Sequence, residues 1–209
     1  MVLARWLAGL GLLPLLSHTR PSTINPHVRD RIAMKISLLA AVGVTTAGLV
    51  LGGIGSAAAQ PDDYSVLIVS PNAVTDTTAY TAGPTTLDPG GQPGAMTVFT
   101  HRDGRTITDT VWVLADPAAA AAAISAAQGN MAGVITNPKT QAVAVGTNGQ
   151  LVSGTSADGT QSVSVLYFTQ GNAASTIEFT GPKLDPVPTE VAVEMGQQQD
   201  ATIKTALGS

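Results

Sequence analysis

His101 is the only histidine after residue 59, so acid–base or nucleophilic catalysis in that part of the chain would have to involve it or a scarce Glu or Lys. A Ser-His-Asp triad also needs an activated serine. No Gly-x-Ser-x-Gly elbow occurs, and the segment GTSADG at 154–159 has the wrong spacing for one. We therefore predict no catalytic residues and no enzymatic activity.

The tripeptide His101-Arg102-Asp103 also occurs in the catalytic loop of protein kinases, but the other kinase motifs are absent. The following Asp103-Gly104 pair is typical of a hairpin turn, because glycine tolerates positive φ. The chain has no cysteine and its carboxylates are scattered, so we predict no metal site. The glycines lie in predicted turns and not in a phosphate-binding loop, so we also predict no cofactor.

Aromatic residues offer a different kind of site. Tyr64, Tyr80, Trp112 and Tyr167 could line a pocket for a small apolar ligand, or they could be core and edge packing in a chain with 4% aromatic residues. Two functional classes remain open. One is a non-catalytic interaction or ligand-binding module that uses the sheet face, Trp112 and the 70–94 loop, with a wall-associated structural protein as its alternative. The other, less favoured, is an enzyme with an unrecognised site.

Turn pairs and alternating apolar residues predict the sheet that would carry such a site. Residues 141–181 are predicted to form a meander of four short strands, with turns at Asn148-Gly149, Asp158-Gly159 and Gly171-Asn172. Along one of these predicted strands, Val163, Val165 and Tyr167 alternate with Ser162 and Ser164. This period of two predicts one face on a core and one in water.

A hairpin is predicted over residues 95–113. Ile107, Val111 and Val113 share one predicted face, and Trp112 lies on the other. Asp109 falls on the apolar face, where a charged residue is not expected. Upstream, the apolar run Ser65–Val69 predicts a short buried strand, and the segment that follows, rich in Thr, Pro and Gly, predicts a long loop up to residue 94.

Two helices complete the predicted domain. The first begins at the N-cap Asp116 and Pro117 and ends at Gly129. The second spans about Thr189 to Leu207. Its apolar positions recur at multiples of four, namely Val191, Met195, Ile203 and Leu207, and its predicted wet positions are Gln197, Gln198 and Asp200. The predicted class is α+β, an antiparallel sheet of hairpin plus meander with both helices on one side.

The N-terminal 59 residues differ in character from the rest. Residues 34–59 have the positive start, apolar run and small-residue exit of a signal peptide, with predicted cleavage before Gln60. An uncleaved membrane anchor is the alternative, and residues 1–33 are predicted to be an upstream extension or part of one long signal. From Gln60 onward the chain carries five basic and thirteen acidic residues, a net charge of −8, which disfavours nucleic acid or an anionic membrane surface as a partner. We therefore predict a secreted or cell-envelope protein, with one domain made of residues 60–94 and 95–209.

The order of hairpin, alanine-rich helix, meander and closing helix resembles small secreted mycobacterial proteins of the LpqN-type and PsbP-like α/β/α sandwich families. The matching parts are Thr106–Val113 with Asp116-Pro117-Ala118, then Leu151–Phe168, then Val191–Lys204. The resemblance implies an exported, largely non-enzymatic protein with an adaptor or interaction role. LpqN-type members carry a lipobox cysteine, and this chain has none, so a freely secreted relative is implied.

Overall fold

The computed structural model describes residues 63–75, 78–131 and 133–209. The predictions for residues 1–33 and 34–59, and the cleavage before Gln60, concern residues outside these ranges. The described strands and helices are β1 Tyr80–Ala82, β2 Thr86–Leu87, β3 Gly94–His101, β4 Thr106–Val113, α1 Pro117–Met131, β5 Ile135–Ala142, β6 Thr147–Ser156, β7 Gln161–Gln170, β8 Ala173–Pro182 and α2 Thr189–Leu207. None of these helices has the length and apolar character needed to span a bilayer.

All strands belong to one antiparallel sheet with the order β1-β3-β4-β8-β7-β6-β5, and β2 also pairs with β3. The hairpin β3–β4 and the meander β5–β8 are joined by the β4–β8 ladder, which runs from Thr106↔Thr180 to Val113↔Ala173. The α+β class and the antiparallel sheet are therefore confirmed.

The two helices lie on opposite faces of the sheet, so the prediction of both helices on one side is wrong. On β7, Val163, Val165 and Tyr167 form a core with α1, whereas Leu166 and Phe168 belong to the core that includes α2. Ser162 and Ser164, predicted to face water, are buried as well. A central strand in a sheet with a helix on each face buries both sets of alternating side chains.

The N-terminal part of the domain differs from its prediction. Residues Tyr64–Leu67 form a 3₁₀ helix and not a strand, and the Asp63 side chain caps it by accepting from the Ser65 N–H at 2.8 Å. Leu67 is fully buried while Val66 is 53% exposed. The segment up to residue 94, predicted to be a loop, contains β1, β2 and two further 3₁₀ helices, Pro71–Ala73 and Pro89–Gly91.

The first turn of the meander is also displaced. β5 begins at Ile135, well before the predicted start, and Asn148-Gly149 lies inside β6 where the register shifts between Thr147 and Gln150. Asn148 does have the positive φ, 55°, that its turn signal indicates. The chain reverses just before it, at 143–146, and Gly149 does not have the positive φ that the predicted turn requires, so only the conformation of Asn148 agrees with the prediction.

The helix boundaries agree closely with the sequence pattern. The Asp116 side chain accepts from the Ala119 N–H at 2.8 Å, which confirms the N-cap, but α1 continues through Gly129 to Met131. The bounds of α2 are as predicted. Asp200, expected on the wet side, is instead largely buried and pairs with Lys204 at 2.6 Å.

Candidate functional site

A cavity of about 190 Å³ lies between the β3–β4 hairpin, the end of β8 and the start of α2. Its walls are mainly apolar, and polar side chains lie at one side. The apolar lining consists of Ala79, Ile107, Phe179, Val187, Pro188 and Val191, and the larger polar groups are Tyr80, His101, Arg105 and Asp185. We call this the hairpin cavity.

The sheet register positions the inner wall of the hairpin cavity. Ile107 and Phe179 are direct cross-strand partners on β4 and β8, so their side chains project together from the α2 face of the sheet. Tyr80 on β1 is the partner of His101 on β3, and their ring centroids lie 4.8 Å apart at an angle of 58°. Asn72 holds Tyr80 in place, since it donates to the Tyr80 carbonyl and accepts from the Tyr80 N–H, both at 2.9 Å.

The polar side of the cavity is a chain of ionic contacts. His101 Nδ1 lies 2.5 Å from Asp103 Oδ1, Arg105 Nε lies 3.1 Å from Asp103 Oδ2, and Arg105 also pairs with Asp185. The Arg105 backbone N–H, which donates to Asp103, is the main reason that the pKa of this carboxyl lies below its usual value, with smaller contributions from His101 and the Arg105 charge. The Arg105 guanidinium is therefore paired with two carboxylates, those of Asp103 and Asp185.

The His101–Asp103 contact has the form of a base and its orienting carboxylate, as in hydrolases. Among the described residues that line the cavity, however, none is a serine, and its hydroxyl groups come from threonines and Tyr80. Burial raises the pKa of the Tyr80 phenol, with Asp103 adding to the rise and Arg105 opposing it. The tripeptide lies in the predicted hairpin turn, with the His101 N–H donating to the Arg105 carbonyl at 2.8 Å.

The structure separates the four aromatic residues that were considered as pocket lining. Tyr80 does line the hairpin cavity. Trp112 and Tyr167 belong to the α1 core, where Trp112 Nε1 donates to the Pro89 carbonyl at 3.1 Å, and Tyr64 packs against the α2 core. Sequence reasoning missed Arg105 and Asp185, because their pairing depends on the β4–β8 ladder and leaves no local signal.

Asp185 lies in the proline-rich connection 183–188. Its ion pair with Arg105 joins this connection to the β3–β4 hairpin. Replacing Asp185 with asparagine is expected to reduce the free energy of unfolding by less than about 1 kcal/mol, because the two side chains are 31% and 64% exposed and solvent screens the pair. Faster amide hydrogen exchange in the connection, together with an almost unchanged urea midpoint, is the expected result. A loss well above that magnitude would show that the pair supports the fold itself.

Comparison with known proteins yields a likeness of fold. No family model matches the chain, and no curated protein matches it. Among solved structures, the extracellular domain of PknH from Mycobacterium tuberculosis is similar, with 11% sequence identity and a TM-score of 0.51, over 70% of this chain and 98% of that one. The likeness supports the α+β class, and membership of the LpqN-type or PsbP-like families stays a prediction.

Proposed function

We propose that the protein is an exported, non-catalytic module that binds a small apolar molecule in the hairpin cavity. The observation that carries the proposal is the cavity itself, with apolar walls of Ile107, Phe179 and Val191 and a polar rim on one side. Ligand sites typically combine such apolar walls with a few polar groups that orient the ligand. Export is supported by the signal-like segment 34–59 and by the likeness in fold to an extracellular domain.

The size and charge of the cavity narrow the class of ligand. An apolar cavity of roughly 150 Å³ can hold benzene, so the 190 Å³ here has room for one or two fused rings. Because Asp103 and Asp185 outnumber Arg105 at the rim, a neutral ligand or one with an N–H donor is favoured over an anion. Indole, with its flat apolar body and one N–H, is therefore a suitable probe.

Indole is expected to bind in the hairpin cavity with a dissociation constant on the order of 1 mM, as suits a small fragment. Titration followed by amide chemical shifts is expected to show saturable changes at Ala79, Ile107 and Val191. Val191→Trp, which fills the cavity, is expected to abolish them. Ala201→Trp on the exposed side of the same helix is the matched control and is expected to leave binding intact.

Two results would count against the ligand-binding proposal: no saturable shifts around the cavity, or equal shifts in the protein and in Val191→Trp. Export is tested separately, by intact mass and N-terminal sequence of the protein from culture medium and from membranes. A form in the medium that begins at Gln60 is the expected result. A form found only in the membrane fraction, with residues from Met34 onward, would show that the protein is anchored in the membrane and not secreted.

A further inference from the structure

A short segment ahead of the sheet, Tyr64–Ser70, packs on the α2 face and contributes no strand to the sheet. It consists of the 3₁₀ helix Tyr64–Leu67 and the three residues that follow it. Leu67 is fully buried in the core that includes α2, and Val69 is buried as well. We call this segment the strap. Because it takes no part in the strand ladders, the strap can leave the sheet while the strands stay paired.

Two side chains hold the main chain of the strap, one from the sheet and one from α2. The Val69 N–H is shared between Asp109 Oδ2 at 3.1 Å and Gln199 Oε1 at 3.2 Å. The Gln199 amide also donates to the Leu67 carbonyl. The polar contacts at the buried end of the strap therefore depend on one carboxyl group and one amide group.

The Asp109 carboxyl is poorly suited to carry a charge at this position. It is fully buried, its Oδ2 receives only the shared Val69 N–H, and its Oδ1 has no hydrogen-bond partner among the described residues. Burial raises the pKa of this carboxyl to about 7, and the Val69 N–H opposes the rise. A buried charge is costly unless donors or an opposite charge surround it. Ionised Asp109 therefore favours a movement that brings water to it.

Among the described residues, no charged side chain compensates Asp109 from the elements packed around it. Its cross-strand partners are Thr97 on β3 and Ile177 on β8, both uncharged. The titratable groups on the strap and its flank, β3, β8 and α2 are Asp63 and Tyr64, His101, Glu178, and Glu190, Glu194, Asp200 and Lys204. None of them is among the causes of the rise in the Asp109 pKa, and Asp200 and Lys204 pair with each other at 2.6 Å.

The strap leads directly into one wall of the hairpin cavity. Ser70, its last residue, caps the 3₁₀ helix Pro71–Ala73. Asn72 in this helix holds Tyr80 through two hydrogen bonds of 2.9 Å, and Tyr80 lines the cavity. Val69 therefore lies only three residues before the side chain that positions Tyr80. Release of the strap at Val69 is expected to loosen this wall.

We propose that the strap is a proton-controlled device, docked while Asp109 is neutral and shifted toward a released form, together with the Asn72 contact to Tyr80, when Asp109 ionises. In the released form water reaches the carboxyl, which then ionises near its ordinary pKa of 3.8. Docking is therefore strongest below about pH 4 and weakens as the pH rises to about 7. Any effect of the released strap on a ligand rests on the proposed function, whereas the release itself does not.

The experiment is amide hydrogen exchange of the full chain at pH 5 and pH 8, with each rate divided by the intrinsic rate of a free amide at that pH. The protection of the Val69 N–H is expected to fall about a hundredfold from pH 5 to pH 8, and that of the Tyr80 N–H is expected to fall with it. Low urea is expected to speed exchange at Leu166, inside β7, and to leave Val69 almost unchanged, because release of the strap exposes little surface.

Asp109→Asn is expected to abolish the fall in protection at Val69, since asparagine keeps the acceptor and cannot ionise. Glu178→Gln is the matched control. It removes a carboxyl on β8 whose pKa is also raised by burial, and it is expected to keep the fall.

The proposal is overturned if the protection of Val69 does not change between the two pH values, or if the change persists in Asp109→Asn. It is also overturned if Val69 exchanges with the rate and urea dependence of Leu166, since the strap would then open only with the whole domain. Constant protection of Tyr80 would contradict the link to the cavity wall. The measurement needs no ligand, so failure of indole to bind would leave its result unaffected.

Discussion

Replacing Asp109 with asparagine is expected to stabilise the protein at pH 8 by on the order of 3 kcal/mol and to change its stability little at pH 4. Burial raises the pKa of the Asp109 carboxyl from 3.8 to about 7, with the Val69 N–H only partly opposing the rise. In the unfolded chain the same group ionises near its ordinary value. The stability that the neutral Asp109 carboxyl contributes to the folded state is therefore complete below about pH 4, and it is lost as the pH rises to about 7.

The surroundings of Asp109 explain why the neutral form is favoured. The side chain is fully buried on β4; one oxygen accepts from the Val69 N–H at 3.1 Å, and the other has no partner within the described residues. The same Val69 N–H is shared with Gln199 Oε1 at 3.2 Å, and the Gln199 amide donates to the Leu67 carbonyl. Asparagine keeps the acceptor and has no charge to bury.

The measurement is urea unfolding between pH 4 and pH 8.5. Thr97→Val is the control, because Thr97 is the buried cross-strand partner of Asp109 and the substitution disturbs the same layer without removing the carboxyl. Thr97→Val is expected to keep the parent's pH slope, whereas Asp109→Asn is expected to flatten it. Equal slopes in all three proteins would mean that Asp109 is already ionised in the folded state.

Gly196→Ala and Gly129→Ala are expected to change stability in opposite directions, although both replace a glycine inside a helix. At Gly196 an added Cβ would lie 2.3 Å from Leu166 Cδ2 and 2.9 Å from Val145 Cγ1. Overpacking of a core typically costs about 1–3 kcal/mol, which outweighs a gain of up to about 1 kcal/mol in helix propensity. At Gly129 nothing lies within 4 Å of the added atom, so the gain in propensity remains.

Both alanine variants are compared with the parent by urea unfolding at one pH. Each adds one methyl group inside a helix, and the atoms around that methyl group are what differ between them. A loss for Gly196→Ala and a gain for Gly129→Ala would confirm that Gly196 sets how closely α2 approaches β7. Stabilisation by both would show that Leu166 and Val145 move aside without loss of packing. The double variant Gly196→Ala with Leu166→Val is expected to recover part of the loss, since it shortens the side chain that meets the methyl group.

Local signals in the sequence predicted the elements whose boundaries depend on local chemistry. Asp116 and Pro117 mark the start of α1, and the apolar spacing of α2 predicted its bounds. The Asp103-Gly104 pair marked the hairpin turn for the same reason, because a tight turn needs a residue that accepts positive φ. The position of Asp109 on the apolar face also followed from simple alternation along β4.

Elements that depend on distant parts of the chain were not predicted. Ser65–Val69 reads as a strand because a short apolar run does not distinguish a strand from a helical turn, and only the contacts of Leu67 with the core decide between them. The start of β5 was placed too late because β5 is an edge strand with mostly exposed side chains and contains Pro138. The burial of Ser162 and Ser164 was not predicted, since burial of a small polar residue leaves no trace in periodicity.

The ladder between β4 and β8 has a consequence for how the chain folds. It joins residues as distant in sequence as Thr106 and Thr180, so the two halves of the sheet can form separately while the loop closure that unites them comes late. α2, which completes one of the two cores, follows every strand of the sheet along the chain. The core on the α2 face therefore cannot close until the residues that follow the whole sheet are in place, whereas the hairpin β3–β4 can form before them.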